Sequence, residues 1–263
     1  MRRILAELLQ KSGFEIPIRN LYYRLFGRWL RRTLSLGGLT ARFLTPTAAS
    51  ADELLAFGGE RDFLAGFLER LPSGVAVWDV GSNIGLWTLF SSAKVGEHGR
   101  VIAFEPNPDA ARALQGNARL NSAGNILLIP HALGSETRSA VFFLGTRDSQ
   151  TSGLLPQTGM YPTAETGVDV QMMRGEDVLQ RGMAPPPFAA KIDVEGYELA
   201  VLRGFGDRVW AALRLLAIEI HPPLLDRQEG TVGDVEALLR EKGFETIFSG
   251  RRRTELHWLC WKP

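Results

Sequence analysis

Short apolar runs alternate with amphipathic stretches along most of the chain, beginning near residue 60. The runs are rich in Val, Ile, Leu and Ala, which is typical of buried strands, and the stretches between them carry apolar residues at helical spacing. This alternation predicts an α/β fold built on a mostly parallel sheet. The predicted strands cover residues 75–80, 100–105, 126–129, 188–193 and 215–220, and the predicted helices cover 84–93, 107–120, a segment from about 197, and 231–242.

Local signals define several ends of these elements. Asn107 and Pro108 open a helix, since asparagine is a good N-cap and proline suits the first helical position. Thr231 and Asp234 form a Thr-x-x-Asp start, and Gly243 follows the end of that helix. We further expect loops and a hairpin at 134–165, short strands at 140–144 and 168–172, and a terminal antiparallel pair at 244–248 and 255–261.

The N-terminal segment differs from the rest of the chain. Apolar residues recur at helical spacing over residues 21–30, and arginines occupy another face. Such a basic amphipathic helix packs on its own domain, packs on a second subunit to form a homodimer, or makes peripheral contact with an anionic membrane. The sequence leaves these interpretations open. Because Gly37-Gly38 ends the pattern, we divide the chain into an N-terminal helical extension (1–50) and a catalytic domain (51–263).

Composition limits the class of protein. The 45% hydrophobic and 22% charged fractions are those of a globular chain. A single cysteine, Cys260, excludes a disulfide framework, and the scattered histidines argue against structural zinc. The sequence contains neither an apolar run of about 18 residues nor a signal-peptide pattern. The expected location is therefore the cytoplasm, with membrane association at the cytoplasmic face as an option.

The net charge of +1 hides an uneven distribution. Residues 1–36 hold eight basic and two acidic side chains, a net charge of +6, so the remainder carries −5. A nucleic-acid enzyme usually spreads basic surface around its site. We therefore expect no nucleic-acid partner.

The strongest chemical signal is the turn Asp79-Val80-Gly81-Ser82-Asn83-Ile84-Gly85, which follows the first predicted strand. Its glycines let the backbone turn tightly and approach a ligand closely. A dinucleotide fingerprint would need a third glycine, and Asn83 stands where the middle one would be. The turn therefore argues against a nicotinamide oxidoreductase. Asp79 also suits a ligand with an ammonium group better than one with phosphates.

Three further strand ends carry ionisable residues. Glu105 lies 24 residues after Gly81, where a doubly wound sheet places a carboxylate that binds ribose hydroxyls. The other two strand ends carry Lys191, Asp193 and Glu195, and Glu219 and His221. Ligands of open α/β sheets bind outside the carboxyl ends of strands. The sequence thus predicts a nucleoside site next to a group of acids and bases.

Taken in this order, the motifs resemble the FkbM family of S-adenosylmethionine-dependent methyltransferases. The resemblance covers roughly residues 55–250 and implies a Rossmann-like class I methyltransferase fold, whose seven-stranded, mostly parallel sheet has one antiparallel strand and flanking helices. It is carried by residues 79–85, Phe104-Glu105-Pro106-Asn107, Ala132-Leu133-Gly134, residues 191–196 and Glu219.

The resemblance also implies a role for each motif. The glycine turn would hold the methionine part of S-adenosylmethionine, Glu105 would bind the ribose with help from Asn107, and Asp193 would lie near the sulfonium. The backbone near Ala132 and Leu133 would border the adenine. The cofactor-binding candidates are Asp79, Gly81, Ser82, Asn83, Gly85, Glu105, Pro106, Asn107, Ala132, Leu133 and Asp193.

We expect in-line methyl transfer to a hydroxyl oxygen of a sugar, a glycan or a natural product. His221 is the first candidate for general base because its unperturbed pKa lies close to neutrality. Asp193, Glu195 and Lys191 complete the catalytic candidates. A variant would place Mg²⁺ or Mn²⁺ on Asp193 and Glu219, with Glu195 as an additional candidate ligand. The alternatives are a non-catalytic nucleoside-binding module and a methyltransferase for another class of acceptor.

Overall fold

The computed structural model describes residues 21, 25–26, 30–45, 48–144, 153–154, 166–228 and 230–263. Its first continuous stretch is an antiparallel hairpin of β1 (Arg31–Leu36) and β2 (Leu39–Leu44). The predicted helical extension is therefore wrong for residues 31–44. The physical reason is the Gly37-Gly38 pair, in which both residues have positive φ and reverse the chain in a two-residue turn.

The basic helix expected over residues 21–30 lies mostly outside the described residues. Leu21, Leu25 and Phe26 are helical, and each is more than half exposed. Packing, dimer formation and membrane contact by this segment all stay predictions. Among the described residues, no helix is both long enough and apolar enough to cross a membrane.

The elements that follow alternate as the sequence predicts. The helices are α1 (Ala48–Arg70), α2 (Leu86–Val95), α3 (Pro108–Leu120), α4 (Gly175–Gln180), α5 (Glu198–Gly204), α6 (Gly206–Ala212), α7 (Pro222–Leu225) and α8 (Val232–Glu241). The strands are β3 (Ala76–Val80), β4 (Arg100–Phe104), β5 (Ile126–Ile129), β6 (Ala132–Leu133), β7 (Arg138–Leu144), β8 (Thr166–Met173), β9 (Ala189–Ile192), β10 (Leu215–Ile220), β11 (Glu245–Arg252) and β12 (Glu255–Trp261). Helices α1, α4, α6 and α7 add to the predicted set.

Seven strands form the central sheet in the order β11-β12-β10-β9-β3-β4-β5. Only β12 runs opposite to the other six strands, which confirms the predicted sheet with one antiparallel strand. The chain moves outward from β3 through β4 to β5 and then returns to place β9 on the other side of β3. This switch point leaves a crevice at the carboxyl ends of β3 and β9, where open α/β sheets bind their ligands. A second, three-stranded sheet has the order β6-β8-β7 and contains the predicted hairpin strands.

Buried aromatic side chains pack against the central strands. On one face, Trp78 is fully buried and packs edge-on against Phe104 and Phe205, with ring centroids 5.2 and 6.1 Å away. Its indole N–H is satisfied by the carbonyl oxygen of Pro185 at 3.0 Å. Burying a large apolar side chain stabilises a fold by about 1.5–3 kcal/mol. Strands β3 and β4 are thereby fixed in register beneath the crevice.

One asparagine connects the hairpin to the glycine turn. The side-chain amide of Asn117, in α3, donates to the carbonyl oxygen of Ile84 at 2.8 Å. Its side-chain oxygen accepts from the backbone N–H of Leu44, in β2, also at 2.8 Å. Asn117 is fully buried, and buried polar groups need such partners. The hairpin therefore helps to hold the turn that follows β3.

Candidate active site

A cavity opens at the carboxyl ends of β3, β4, β9 and β10. The structure brings most of the predicted site residues to its wall, but Asp79 and Gly85 are not among the residues that line it. The predicted residues that line the cavity are Gly81, Ser82, Asn83, Glu105, Pro106, Asn107, Ala132, Leu133, Lys191, Asp193, Glu195, Glu219 and His221.

Gly81 is required by the contact between two strand ends. It has a φ of +77°, and a Cβ atom there would lie 1.9 Å from the carbonyl oxygen of Asp193. The backbone N–H groups of Gly81 and Ser82 both donate to the carbonyl oxygen of Phe104, at 3.0 and 3.1 Å. Only glycine fits such a close approach between backbones. The turn thus brings the ends of β3, β4 and β9 together at the cavity floor.

Asp79 supports this turn from below. It is almost completely buried, and the hydroxyl of Thr88 donates to its carboxylate. Burial raises the pKa of Asp79, against the opposing charge of Lys191, whose Nζ lies 3.6 Å from Oδ1. Among the described residues, Oδ1 has no hydrogen-bond partner. Asp79 therefore supports the turn from inside the fold and is not part of the cavity lining.

Glu105 is fixed by two backbone donors. Its Oε2 accepts from the N–H of Asn83 at 2.7 Å, and its Oε1 accepts from the N–H of Asn107 at 2.8 Å. Burial raises the pKa of Glu105 to about 7, although both hydrogen bonds favour the charged form. The carboxylate has further lone pairs for ribose hydroxyls. Its position after β4 fits the ribose role that the sequence predicts.

Asn107 is occupied at the start of α3. Its side-chain oxygen accepts from the N–H groups of Asp109 and Ala110, at 3.0 and 3.4 Å, which confirms the predicted N-cap. Any help from this side chain to a ribose would have to come from its amide nitrogen. Next along the wall, Ala132 and Leu133 belong to β6 and are buried beside the cavity. That they border the adenine stays a prediction.

Lys191 ties β9 to the glycine turn. Its Nζ donates to the carbonyl oxygen of Gly81 at 2.6 Å and lies 3.4 Å from Oδ2 of Asp193. Burial opposes the charged form, but Asp193 and Asp79 raise the pKa of Lys191 well above its ordinary value. A lysine that keeps its proton does not act as a base. The geometry gives it a role in support and charge balance.

His221 lies at the centre of a group of carboxylates. Its Nδ1 is 2.8 Å from Oε1 of Glu198. Its Nε2 faces the other way, 3.6 Å from Glu195 and 3.9 Å from both Asp193 and Glu219. Burial would lower the pKa of His221, but the hydrogen bond to Glu198 and the charges of Glu195 and Asp193 raise it well above its usual value. The surrounding carboxylates therefore favour the charged form of the ring.

The pKa values of the neighbouring acids, Asp193 and Glu195, are shifted in opposite directions. Burial would raise the pKa of Asp193, but the charges of Lys191 and His221 outweigh it and lower that pKa. Burial raises the pKa of Glu195 to about 8. Glu195 also has a φ of +52°, an uncommon conformation for a residue other than glycine. Ionisable groups whose pKa values are shifted in different directions, and which lie together at one sheet edge, are characteristic of functional sites.

Three of these residues could hold a metal ion. Asp193, Glu219 and His221 each offer a ligand atom, and the three atoms lie within 4.8 Å of one another. Two carboxylate oxygens and an imidazole nitrogen suit a divalent cation such as Mn²⁺. The structure thus adds His221 to the predicted pair.

Sequence reasoning missed one wall of the cavity. It is built from α1 and the β11–β12 hairpin, where Glu60 and Arg252 form an ion pair of 3.0 Å. These residues are 192 positions apart, so no local pattern could have joined them. Glu198 was also missed as the partner of His221, although it ends the motif that contains Asp193. The other missed lining residues include Trp87, Arg253 and Glu255.

The sheet order, the glycine turn and the acid at the end of β4 together define a Rossmann-like class I methyltransferase, a class that uses S-adenosylmethionine. The chain belongs to the FkbM family of these enzymes: the family described as "Methyltransferase FkbM domain" matches residues 79–246.

Two relatives and one solved structure illustrate this membership. The hexuronic acid methyltransferase AglP of Haloferax volcanii is 27% identical over 220 residues, covering 84% of both chains. The 31-O-demethyl-FK506 methyltransferase FkbM of Streptomyces tacrolimicus is 30% identical over 237 residues, covering 75% of this chain and 84% of the relative. The structure of methyltransferase FkbM from Methylobacillus flagellatus KT shares the fold, with a TM-score of 0.50, 17% identity, and coverage of 73% of this chain and 44% of that one.

Proposed function

We propose that the protein transfers the methyl group of S-adenosylmethionine to a hydroxyl oxygen of a sugar, a glycan or a natural product. The observation that carries this proposal is the His221 ring, whose Nε2 faces the cavity at the same sheet edge as the predicted nucleoside site. Two relatives support the acceptor class, since one is named for a hexuronic acid and the other for an O-demethylated natural product.

Different residues of the chain bind the cofactor and transfer the proton. S-adenosylmethionine supplies a methyl group that is already activated on sulfur. Glu105 and the glycine turn hold the nucleoside and the methionine part, and Asp193 places negative charge next to the predicted sulfonium position. The acceptor hydroxyl must lose a proton, and Nε2 of His221 is the group that takes it. The protein thus aligns the two reactants and removes the proton.

The charges around His221 make it a strong base once it is neutral. Its raised pKa means that the neutral ring binds a proton tightly, which favours deprotonation of a weakly acidic hydroxyl. A charged ring must first release the proton on Nε2 to solvent. A sulfonium bound beside Asp193 would favour this release, because like charges disfavour each other at close range.

The test compares His221→Asn with His98→Asn. His98 is exposed and lies outside the cavity, so it is the control. We expect the His221 variant to lose about 10²- to 10⁴-fold in turnover, the usual range for a general base, and to keep its affinity for S-adenosylmethionine. Turnover equal to that of the control would exclude the base role. Cofactor binding with no transfer to any acceptor by the wild type would support the binding-module alternative.

A metal-assisted form of the same reaction is the second candidate, and the cluster of Asp193, Glu219 and His221 favours it. These residues would hold Mg²⁺ or Mn²⁺, which would lower the pKa of the acceptor hydroxyl. The cation has to compete with Lys191, which lies 3.4 Å from Asp193. Dialysis against a chelator, followed by return of each metal, tests this form. Unchanged turnover after chelation excludes it, and loss that Mn²⁺ or Mg²⁺ restores supports it.

A further inference from the structure

Glu198 is a fully buried carboxylate directly beneath the acid–base cluster. It is the first residue of α5, and its Oε1 is shared by two contacts. The backbone N–H of Gly196 donates to it at 2.9 Å, and Nδ1 of His221 lies 2.8 Å away. Among the described residues, Oε2 has no hydrogen-bond partner. The only side chain in hydrogen-bond contact with Glu198 in this part of the chain is therefore the His221 ring.

A carboxylate in this position is costly for the fold. Taking a charge out of water carries a penalty that one backbone N–H and one ring contact do not fully offset, and the unpartnered oxygen adds to it. A glutamine of the same shape could still accept from Gly196 without that charge. Since the fold gains little from the charge of Glu198, its effect on His221 is the better explanation for its presence.

The contact determines which nitrogen of His221 faces the acceptor. With Nδ1–H donated to Glu198, Nε2 points into the cavity between Glu195, Asp193 and Glu219. If the ring flipped or carried its proton on the other nitrogen, Nε2 would no longer be free to accept one. In serine proteases a buried carboxylate holds the catalytic histidine in this way, and its replacement by an amide costs about 10⁴ in kcat.

We propose that Glu198 is a positioning residue that binds Nδ1–H of His221 and so keeps Nε2 directed at the acceptor hydroxyl. In the reaction, the hydroxyl oxygen forms a bond to the methyl carbon while the carbon–sulfur bond breaks. The hydroxyl proton passes to Nε2, and sulfur leaves as a neutral thioether. The catalytic role of this pair rests on the proposed function, but the hydrogen bond between Glu198 and His221 does not.

The pairing is tested first on the protein alone, by ¹⁵N-edited NMR of the histidine side chains. The chain has four histidines, and spectra of His221→Asn assign the signal of interest. We expect the wild type to show a strongly deshielded proton on Nδ1 of His221, and Glu198→Gln to move it upfield or remove it by exchange. An Nδ1 signal that is the same in wild type and Glu198→Gln would overturn the proposal, whatever the reaction proves to be.

A double-mutant cycle then tests whether Glu198 affects catalysis through His221. Glu198→Gln should lower kcat by about 10²- to 10⁴-fold, no more than loss of the general base itself, with little change in KM or in cofactor affinity. In a His221→Asn background the same substitution should cost nothing further, because its effect passes through the ring. Equal losses of kcat in both backgrounds would mean that Glu198 does not act through His221, and would overturn the proposed role. If the wild type transfers no methyl group, the proposed function fails, and the NMR result still decides the pairing.

Discussion

Replacing Glu105 by glutamine tests the nucleoside site at its best-defined point. Both carboxylate oxygens already accept backbone hydrogen bonds, from Asn83 at 2.7 Å and from Asn107 at 2.8 Å. A glutamine side chain has one oxygen and one NH₂ group, so in either orientation a donor would face one of these backbone N–H groups. Glu105→Gln therefore removes the charge that would accept hydrogen bonds from the ribose. It also breaks one of the two backbone contacts, to Asn83 or to Asn107.

The size of the effect follows from these contacts. A hydrogen bond to a charged group contributes about 1.5–3 kcal/mol, and one left unmade in a buried site costs about 1–3 kcal/mol. Allowing for competition from water, we expect cofactor binding to weaken by about 2–4 kcal/mol. Because each 1.4 kcal/mol is about a tenfold change in Kd, this corresponds to roughly 30- to 1,000-fold.

Isothermal titration calorimetry with S-adenosylmethionine and S-adenosylhomocysteine measures this change. Glu136→Gln is the control, because its side chain is 68% exposed and lies outside the cavity. Circular dichroism and thermal unfolding establish that each variant is folded. If folded Glu105→Gln binds both nucleosides as tightly as Glu136→Gln does, Glu105 does not bind the ribose, and our assignment of the site is wrong.

Three further predictions concern pH, the glycine turn and a helix cap. Burial raises the pKa of Glu105 to about 7, so its carboxylate gains a proton as pH falls through neutrality. Calorimetry should show weaker cofactor binding at lower pH, and less dependence on pH in Glu105→Gln. Gly81→Ala should abolish binding because its Cβ would lie 1.9 Å from the carbonyl oxygen of Asp193, whereas Gly74→Ala, also at positive φ but in open space, should bind normally. Thr231→Ala removes the capping box of α8 and should lower the free energy of unfolding by about 0.5–2 kcal/mol, measured with denaturant, without changing cofactor affinity.

The sequence predicts the strand ends well because they have local causes. The central strands are short apolar runs that stop at glycine or at charged residues, and buried parallel strands require that composition. The helix starts at Asn107 and Thr231 are confirmed, since each side chain satisfies free N–H groups within its own first turn. Residues of the site that follow directly from a strand end, such as Glu105 and His221, were therefore found from the sequence.

Asp79 shows the limit of this reasoning. Its position near the end of β3 suggested a side chain facing the ligand, but strand alternation turns it toward Thr88 and Lys191 beneath the turn. The β1–β2 hairpin was missed for a different reason. The alternating residues on both sides of Gly37-Gly38 are typical of a hairpin. The arginine-rich helical pattern of residues 21–30 led us to extend the helix prediction over them. The Glu60–Arg252 wall depends on packing between distant parts of the chain and has no sequence signal.

The central claim is methyl transfer to oxygen, and one measurement tests it most directly. The wild type is incubated with S-adenosylmethionine carrying an isotopically labelled methyl group and with panels of glycans and hydroxylated natural products. Mass spectrometry and NMR then locate the label. We predict a labelled methyl ether on an acceptor hydroxyl, formed in equal amount with S-adenosylhomocysteine and lost in His221→Asn. Label on nitrogen or carbon, or a product yield that His221→Asn leaves unchanged, would contradict the account.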